Sequence, residues 1–230
     1  MANYHQPEKV ADCCLCKEIE TGVFPAEYAA VYGVDKRICF ESDNFIVIPS
    51  VSPIAVGHTM LLPKQHYTSM MACPKEMKDE ALTLINSLYA NLSDRFGQLF
   101  LFEHGVGRLD DVACGINHAH LHFVPLGGCN YDAIINRIEN ILGECTDNTL
   151  RDFILSNQDK NAYLMYGVTP SDMSLVYSNV IPSQIVRSSF SHVLKHSEWN
   201  WRQLNGKDEF VETVSLLRNI FSSKLQMCEA

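Results

Sequence analysis

Between residues 118 and 123 the chain alternates histidine with apolar residues: His118-Ala119-His120-Leu121-His122-Phe123. Successive side chains of a β-strand point to opposite faces. The run therefore predicts a strand with three imidazoles on one face and Ala119, Leu121 and Phe123 on the other, anchoring it in a core. Three neighbouring rings repel one another if several are protonated. Such a row makes sense where the rings bind a metal, bind an anion or exchange protons. Two chemistries fit. In one, neutral His120 attacks a phosphorus atom while its neighbours fix its tautomer and hold phosphate oxygens. In the other, two or three of the histidines bind Zn²⁺, which activates water. A single histidine in a strand is usually a packed or surface residue; three at strict period two are harder to explain that way.

The surrounding pattern places this strand in an α+β fold. Residues 44–49 (NFIVIP) and 57–63 (GHTMLLP) read as two strands of an antiparallel hairpin with a long connection containing Pro53. Pro74 can open a helix, and Met77, Ala81, Leu84, Ile85, Leu88 and Leu92 then recur at helical spacing up to Phe96-Gly97. Residues 98–103 are strand-like, and Pro125 to Gly128 end the histidine strand. Further on, 131–142, 182–195 and 208–225 read as helices, with short strands at 163–166 and 175–177. The cluster Cys13-Cys14-Leu15-Cys16 precedes a turn region with Gly22 and Pro25. The expected organisation is a catalytic domain over 1–128 and a C-terminal extension over 129–230, packed on the same domain.

Composition narrows the partners. The formal net charge of -9 over 230 residues argues against a broad basic surface for nucleic acid. Small anionic substrates still fit, if local donors gather at one site. No stretch is long and apolar enough to span a bilayer, and Met1 to Lys9 lacks the apolar core of a signal peptide. The expected location is cytoplasmic, without membrane contact. Nine cysteines, an odd number, argue against a disulfide framework and leave thiols or metal ligation as the reading.

Three blocks, in order, resemble the histidine-triad (HIT) superfamily. His118 to Phe123, followed by Val124-Pro125, resembles its His-φ-His-φ-His-φ-φ signature, with φ apolar. Gly57-His58-Thr59-Met60-Leu61-Leu62-Pro63-Lys64-Gln65-His66 is similar to its Gly-His-x-φ-φ-φ-Pro-Lys-x-His segment. Cys13-Cys14-Leu15-Cys16-Lys17 is similar to the Cys-x-x-Cys-Lys start of many bacterial members. The resemblance implies a HIT-like antiparallel sheet with packed helices. It also implies a nucleotide hydrolase or nucleotidyltransferase working at the α-phosphate of a dinucleoside polyphosphate or nucleoside phosphoramidate. His120 would be the nucleophile of a covalent nucleotidyl-histidine intermediate, and His122 the phosphate contact and leaving-group proton donor. His118 would flank the nucleophile, and His58 would support the triad from a neighbouring strand. The backbone amides of Gly115 and Ile116 could face a phosphate. Zinc-bearing relatives imply a structural Zn²⁺ on Cys13, Cys16, His66 and His118, and simple Hint-like members imply a homodimer.

The chain also departs from common members. Many have Asn-x-Gly on the strand before the triad, where this chain reads Phe102-Glu103-His104-Gly105; His104 is expected to replace the Asn as a ribose or phosphate contact or to be a surface histidine. Ala113-Cys114-Gly115 replaces a Gly-Gln-Ser, which removes the usual Ser and Gln contacts. Arg108 in the loop before it could contact a polyphosphate. In the extension, Gln184 and Arg187, one helical turn apart, could face a substrate, and Trp199 and Trp201 could stack on a base. The expectation for all four is packing of the extension. Two further functions compete: a zinc-dependent hydrolase using the triad as its metal site, and a non-catalytic nucleotide-binding protein.

Overall fold

The computed structural model describes residues 13–106, 116–143, 145–156, 162–178, 180–195 and 199–228. The strands are β1 (Phe40–Glu41), β2 (Phe45–Pro49), β3 (Thr59–Pro63), β4 (Leu99–Gly105), β5 (Leu121–Pro125), β6 (Thr146–Asn148), β7 (Tyr163–Thr169) and β8 (Asp172–Tyr177). The helices are α1 (Cys14–Thr21), α2 (Ala26–Tyr32), α3 (Lys75–Phe96), α4 (Tyr131–Leu142), α5 (Leu150–Leu155), α6 (Ile185–Leu194) and α7 (Lys207–Cys228). All strands join one eight-stranded sheet in the order β1-β2-β3-β5-β4-β7-β8-β6, and the pairings are antiparallel. The boundary at residue 128 falls between β5 and α4, yet the sheet continues across it, because β7 pairs with β4.

Both faces of this sheet are covered, which is why β2, β3, β4 and β5 are buried along their whole lengths. On one face Phe45, Val47, Leu61, Leu101, Leu121 and Phe123 pack under the apolar stripe of α3. On the other, Phe100, Phe102, Val124, Leu164 and Tyr166 pack against Ile134 and Ile138 of α4 and Ile185, Val186 and Phe190 of α6. Farther along that second face, Leu15 of α1 covers Ile46, Ile48, Met60 and Leu62. Period-two alternation thus sends odd and even residues of β4 into different cores.

The expected hairpin is β2–β3, with its long connection over 50–58. The expected long helix is α3, and α4 spans the 131–142 segment read from sequence. The histidine strand differs. Ladder pairing begins only at Leu121, because the Ala119 N–H is used by the carbonyl of Tyr67 in the loop after β3. Residues 118–120 therefore approach the sheet without belonging to it. The helices α1, α2 and α5 were not foreseen; each is a turn or two of helix without a long apolar period.

Candidate active site

β5 lies between β3 and β4, so His122 sits opposite Met60 on one side and Phe102 on the other. Phe102 stacks on the His122 ring at 4.1 Å with an interplanar angle of 8°, which fixes the plane of the imidazole. The His120 ring stands edge-on to it, 4.8 Å away. Both rings line a cleft of about 740 Å³ of empty space, counting its mouth. Leu15, Met60, Ile116 and Tyr28 make apolar walls of that cleft, and His104 also lines it.

His118 parts from the other two. Its ring lies beside the N-terminal cysteines and is not among the residues that line the cleft. Its Nδ1 lies 3.6 Å from Cys13 Sγ and 3.5 Å from Cys16 Sγ, and its ring is 5.0 Å from that of His66. Ala119 packs with Leu121 and Phe123 under α3, while His118 meets Cys13, which packs with Met60 and Leu62 on the other face, so the three imidazoles lie on one side of the run as expected and His118 is set apart by its cysteine neighbours. His120 and His122 stay together.

Hydrogen-bond partners set the tautomer of each ring. The Ile54 N–H donates to His58 Nδ1 at 3.1 Å, so the proton of neutral His58 is on Nε2. That Nε2–H points at His122 Nδ1, 2.9 Å away, which makes this nitrogen an acceptor and leaves the His122 proton on Nε2. His120 is the reverse. Its Nδ1–H donates to the His118 carbonyl, so its Nε2 carries the lone pair. Desolvation by burial lowers the pKa of His58, His120 and His122, and the Arg187 cation adds to it, while at His120 the His118 carbonyl and Glu103 act the other way. Burial likewise holds His104 at about 4. All four imidazoles are therefore neutral at neutral pH.

The cysteine cluster can hold a metal ion. One donor atom each from Cys13, Cys16, His66 and His118 falls within 4.8 Å of the others. A tetrahedral ion with metal–sulfur and metal–nitrogen bonds of usual length needs donors roughly 3.3–3.8 Å apart. The Cys16–His66, Cys16–His118 and Cys13–His118 separations are 3.3, 3.5 and 3.6 Å. His118 Nε2–H donates to the Pro63 carbonyl at 2.8 Å, which frees its Nδ1 for the cluster and orients the ring, as an outer-shell partner does for a metal ligand. The Cys13 thiol is drawn far down by hydrogen bonding from Cys16 and then from His118 and His66, against the opposing effect of burial. One sulfur is thus already thiolate in character, the form that binds metal.

Gly115 and Arg108 lie outside the described residues, as does the Ala113-Cys114 departure. Ile116 does line the cleft. The extension packs on the first half and also reaches the cleft. Gln184, Arg187 and Trp201 line the same cleft as His120 and His122, while Trp199 borders a neighbouring cavity. Two wall residues went unrecognised in the sequence. Glu18 and Arg37 both line the cleft and form a buried two-pronged ion pair, with both N–O distances 2.8 Å. Nothing in their spacing signals the pair.

No family model matches the chain. Over 119 residues it is 26% identical to an uncharacterized HIT-like protein of Borreliella burgdorferi, covering 50% of this chain and 75% of that one. Among solved structures it is similar to a hypothetical histidine triad nucleotide-binding protein of Sulfolobus tokodaii, at 20% identity and a TM-score of 0.38, covering 49% of this chain and 68% of that one. It is also similar to a member of the HIT family from Bacillus subtilis, at 18% identity and a TM-score of 0.39, covering 51% and 74%. With the sequence match and the three motifs in order, the chain is consistent with the histidine-triad superfamily.

Proposed function

We propose that the chain is a nucleotide hydrolase or nucleotidyltransferase that acts at an α-phosphate through a nucleotidyl-His120 intermediate. The observation that carries this reading is the opposed protonation of two adjacent rings. His120 is held with an unprotonated Nε2, a nucleophile, and His122 with an Nε2–H, a donor, and both line one cleft. In the first step the Nε2 lone pair forms a bond to phosphorus, and the bond from phosphorus to the leaving group breaks with its electron pair. His122 Nε2–H stabilises the negative charge on a phosphoryl oxygen. In the second step water, or another phosphate, attacks the same phosphorus and expels His120. His104, on the cleft wall, is proposed as a substrate contact, as are the backbone amides of Gly115 and Ile116.

The pairing with His58 refines the role of His122. Two protons cannot occupy the space between His58 Nε2 and His122 Nδ1, and turning His58 to its other tautomer would set its Nδ1–H against the Ile54 N–H. A doubly protonated His122 is therefore disfavoured. The site suits leaving groups that depart as stable anions, and phosphoanhydrides, the bonds of dinucleoside polyphosphates, are the favoured substrate. Phosphoramidates, whose amine needs a proton, are the second choice.

We further infer that Cys13, Cys16, His66 and His118 bind Zn²⁺. A four-donor set of this kind leaves no place for water, so the ion would tie the N-terminal segment to the sheet. A zinc hydrolase working through the triad is not supported, because His120 and His122 are outside the donor cluster. Cytoplasmic location and a homodimer remain part of the proposal on resemblance alone.

The test is incubation with diadenosine polyphosphates and adenosine phosphoramidate, beside a His120→Ala control, with products separated by chromatography. Release of adenosine monophosphate that vanishes in the control supports the reading. Turnover retained by His120→Ala removes His120 as the nucleophile, and ligand binding without turnover points to the non-catalytic alternative.

A further inference from the structure

The connection from β2 to β3 is held in an unusual shape. Ser52 has a φ of 45°, a left-handed conformation that a residue with a side chain adopts at a cost. Its surroundings hold it there. Ser52 N–H donates to Tyr32 Oη at 2.8 Å, its hydroxyl donates to the Trp201 carbonyl at 2.7 Å, and the same hydroxyl accepts from Asn205 N at 3.2 Å. Gln184 and Leu204, at the same joint, also have positive φ, 58° and 53°. Non-glycine residues with left-handed backbone thus gather where the C-terminal half meets this connection.

Arg187 is at the centre of the joint. Its Nη1 donates to the Ser52 carbonyl at 2.6 Å, and its Nη2 to Ser50 Oγ at 2.9 Å and the Val51 carbonyl at 3.2 Å. The guanidinium is buried, and it sits in the first turn of α6, where the helix dipole disfavours a cation. Carbonyl acceptors offset that placement. The same connection then builds His58: Ser50 N–H donates to the His58 carbonyl at 3.0 Å, and Ile54 N–H donates to its Nδ1.

We propose that Arg187, from the C-terminal half of the chain, is a positioning residue of the triad site. Its fork clamps residues 50–52 so that the Ile54 N–H meets His58 Nδ1, and His58 in turn holds His122 with its proton on Nε2. The C-terminal half thereby takes part in the chemistry without touching the reacting atoms. The step from tautomer to turnover rests on the function proposed above; the step from Arg187 to tautomer does not.

Long-range ¹H–¹⁵N spectra of protein labelled on histidine nitrogens read ring tautomers directly, with no substrate. In the wild type both His58 and His122 are expected as Nε2–H tautomers near neutral pH. In Arg187→Met their signals should move toward an average of the two tautomers. Arg187→Lys, which keeps the charge but loses the planar fork, should restore them only in part. If diadenosine polyphosphate is a substrate, Arg187→Met should lower kcat by about 100-fold with little change in KM. Should Arg187→Met fail to fold, Ser50→Ala removes one of the two acceptors of Nη2 and is expected to move the same signals by less. Wild-type His122 found as the Nδ1–H tautomer overturns the proposal. So do unchanged tautomers in a folded Arg187→Met or in Ser50→Ala. Altered tautomers with no turnover of any nucleotide by the wild type uphold the clamp and overturn the proposed function alone.

Discussion

Glu103 offers a stability switch that can be measured without knowing the substrate. It lies on β4 beside His104 but faces the opposite core, where its carboxylate accepts from Met70 N–H at 2.9 Å and from Tyr163 O–H at 2.6 Å. Burial raises its pKa from 4.5 to about 7 in spite of those bonds. The folded state thus holds the proton more tightly than the unfolded chain does, so stability falls as pH rises through the interval between the two values. With those two values, linkage gives a penalty of about 1 kcal/mol at about pH 5.5 and about 3 kcal/mol at about pH 8.5. Glu103→Gln keeps the shape and cannot ionise. The wild type should therefore lose about 2 kcal/mol relative to Glu103→Gln across that range. Urea unfolding of both proteins at several pH values measures the gap. A gap that stays constant, or that moves in favour of the wild type at high pH, refutes the reasoning.

Two other predictions concern the N-terminal segment. The purified protein should carry one zinc ion per chain by elemental analysis. Removing it with a chelator, or replacing Cys16 with Ser, should lower the thermal midpoint, and an unchanged midpoint after complete removal would deny the ion a structural role. Glu18→Ala should destabilise by about 3–5 kcal/mol in urea, because it leaves the Arg37 guanidinium buried beside Phe24 without its carboxylate; a loss under about 1 kcal/mol would mean that water reaches the charge.

Much of the fold was legible because its elements carry strong periods. β2 and β3 are short apolar runs bounded by turn residues, and α3 repeats its apolar positions over many turns. The chemistry of the site was legible for a similar reason: the histidine run, His58, His66 and the Cys13–Cys16 pair stand at telling local spacings. What stayed hidden depends on distant pairing. Nothing near His118 says that the Ala119 N–H will be taken by Tyr67 rather than by a neighbouring strand, or that the N-terminal cysteines will come to lie against the ring. Arg187 reads as an ordinary helical arginine until the 50–52 connection is folded against it. Glu18 and Arg37 meet only because α1 returns over the end of β2, where the Pro49 carbonyl also accepts from Arg37.

The position of β4 has a consequence for how the chain is made. Its two neighbours are β5 and β7, and β7 comes about 60 residues later, so a nascent chain complete to Gly128 exposes a seven-residue strand with one bare edge. That edge is a row of unpaired N–H and C=O groups that is covered only when Tyr163–Thr169 has emerged and found its register. During synthesis the first half is therefore a sticky intermediate awaiting its own C-terminal half. A chain cut after Gly128 should accumulate in aggregates even though it contains the whole histidine motif.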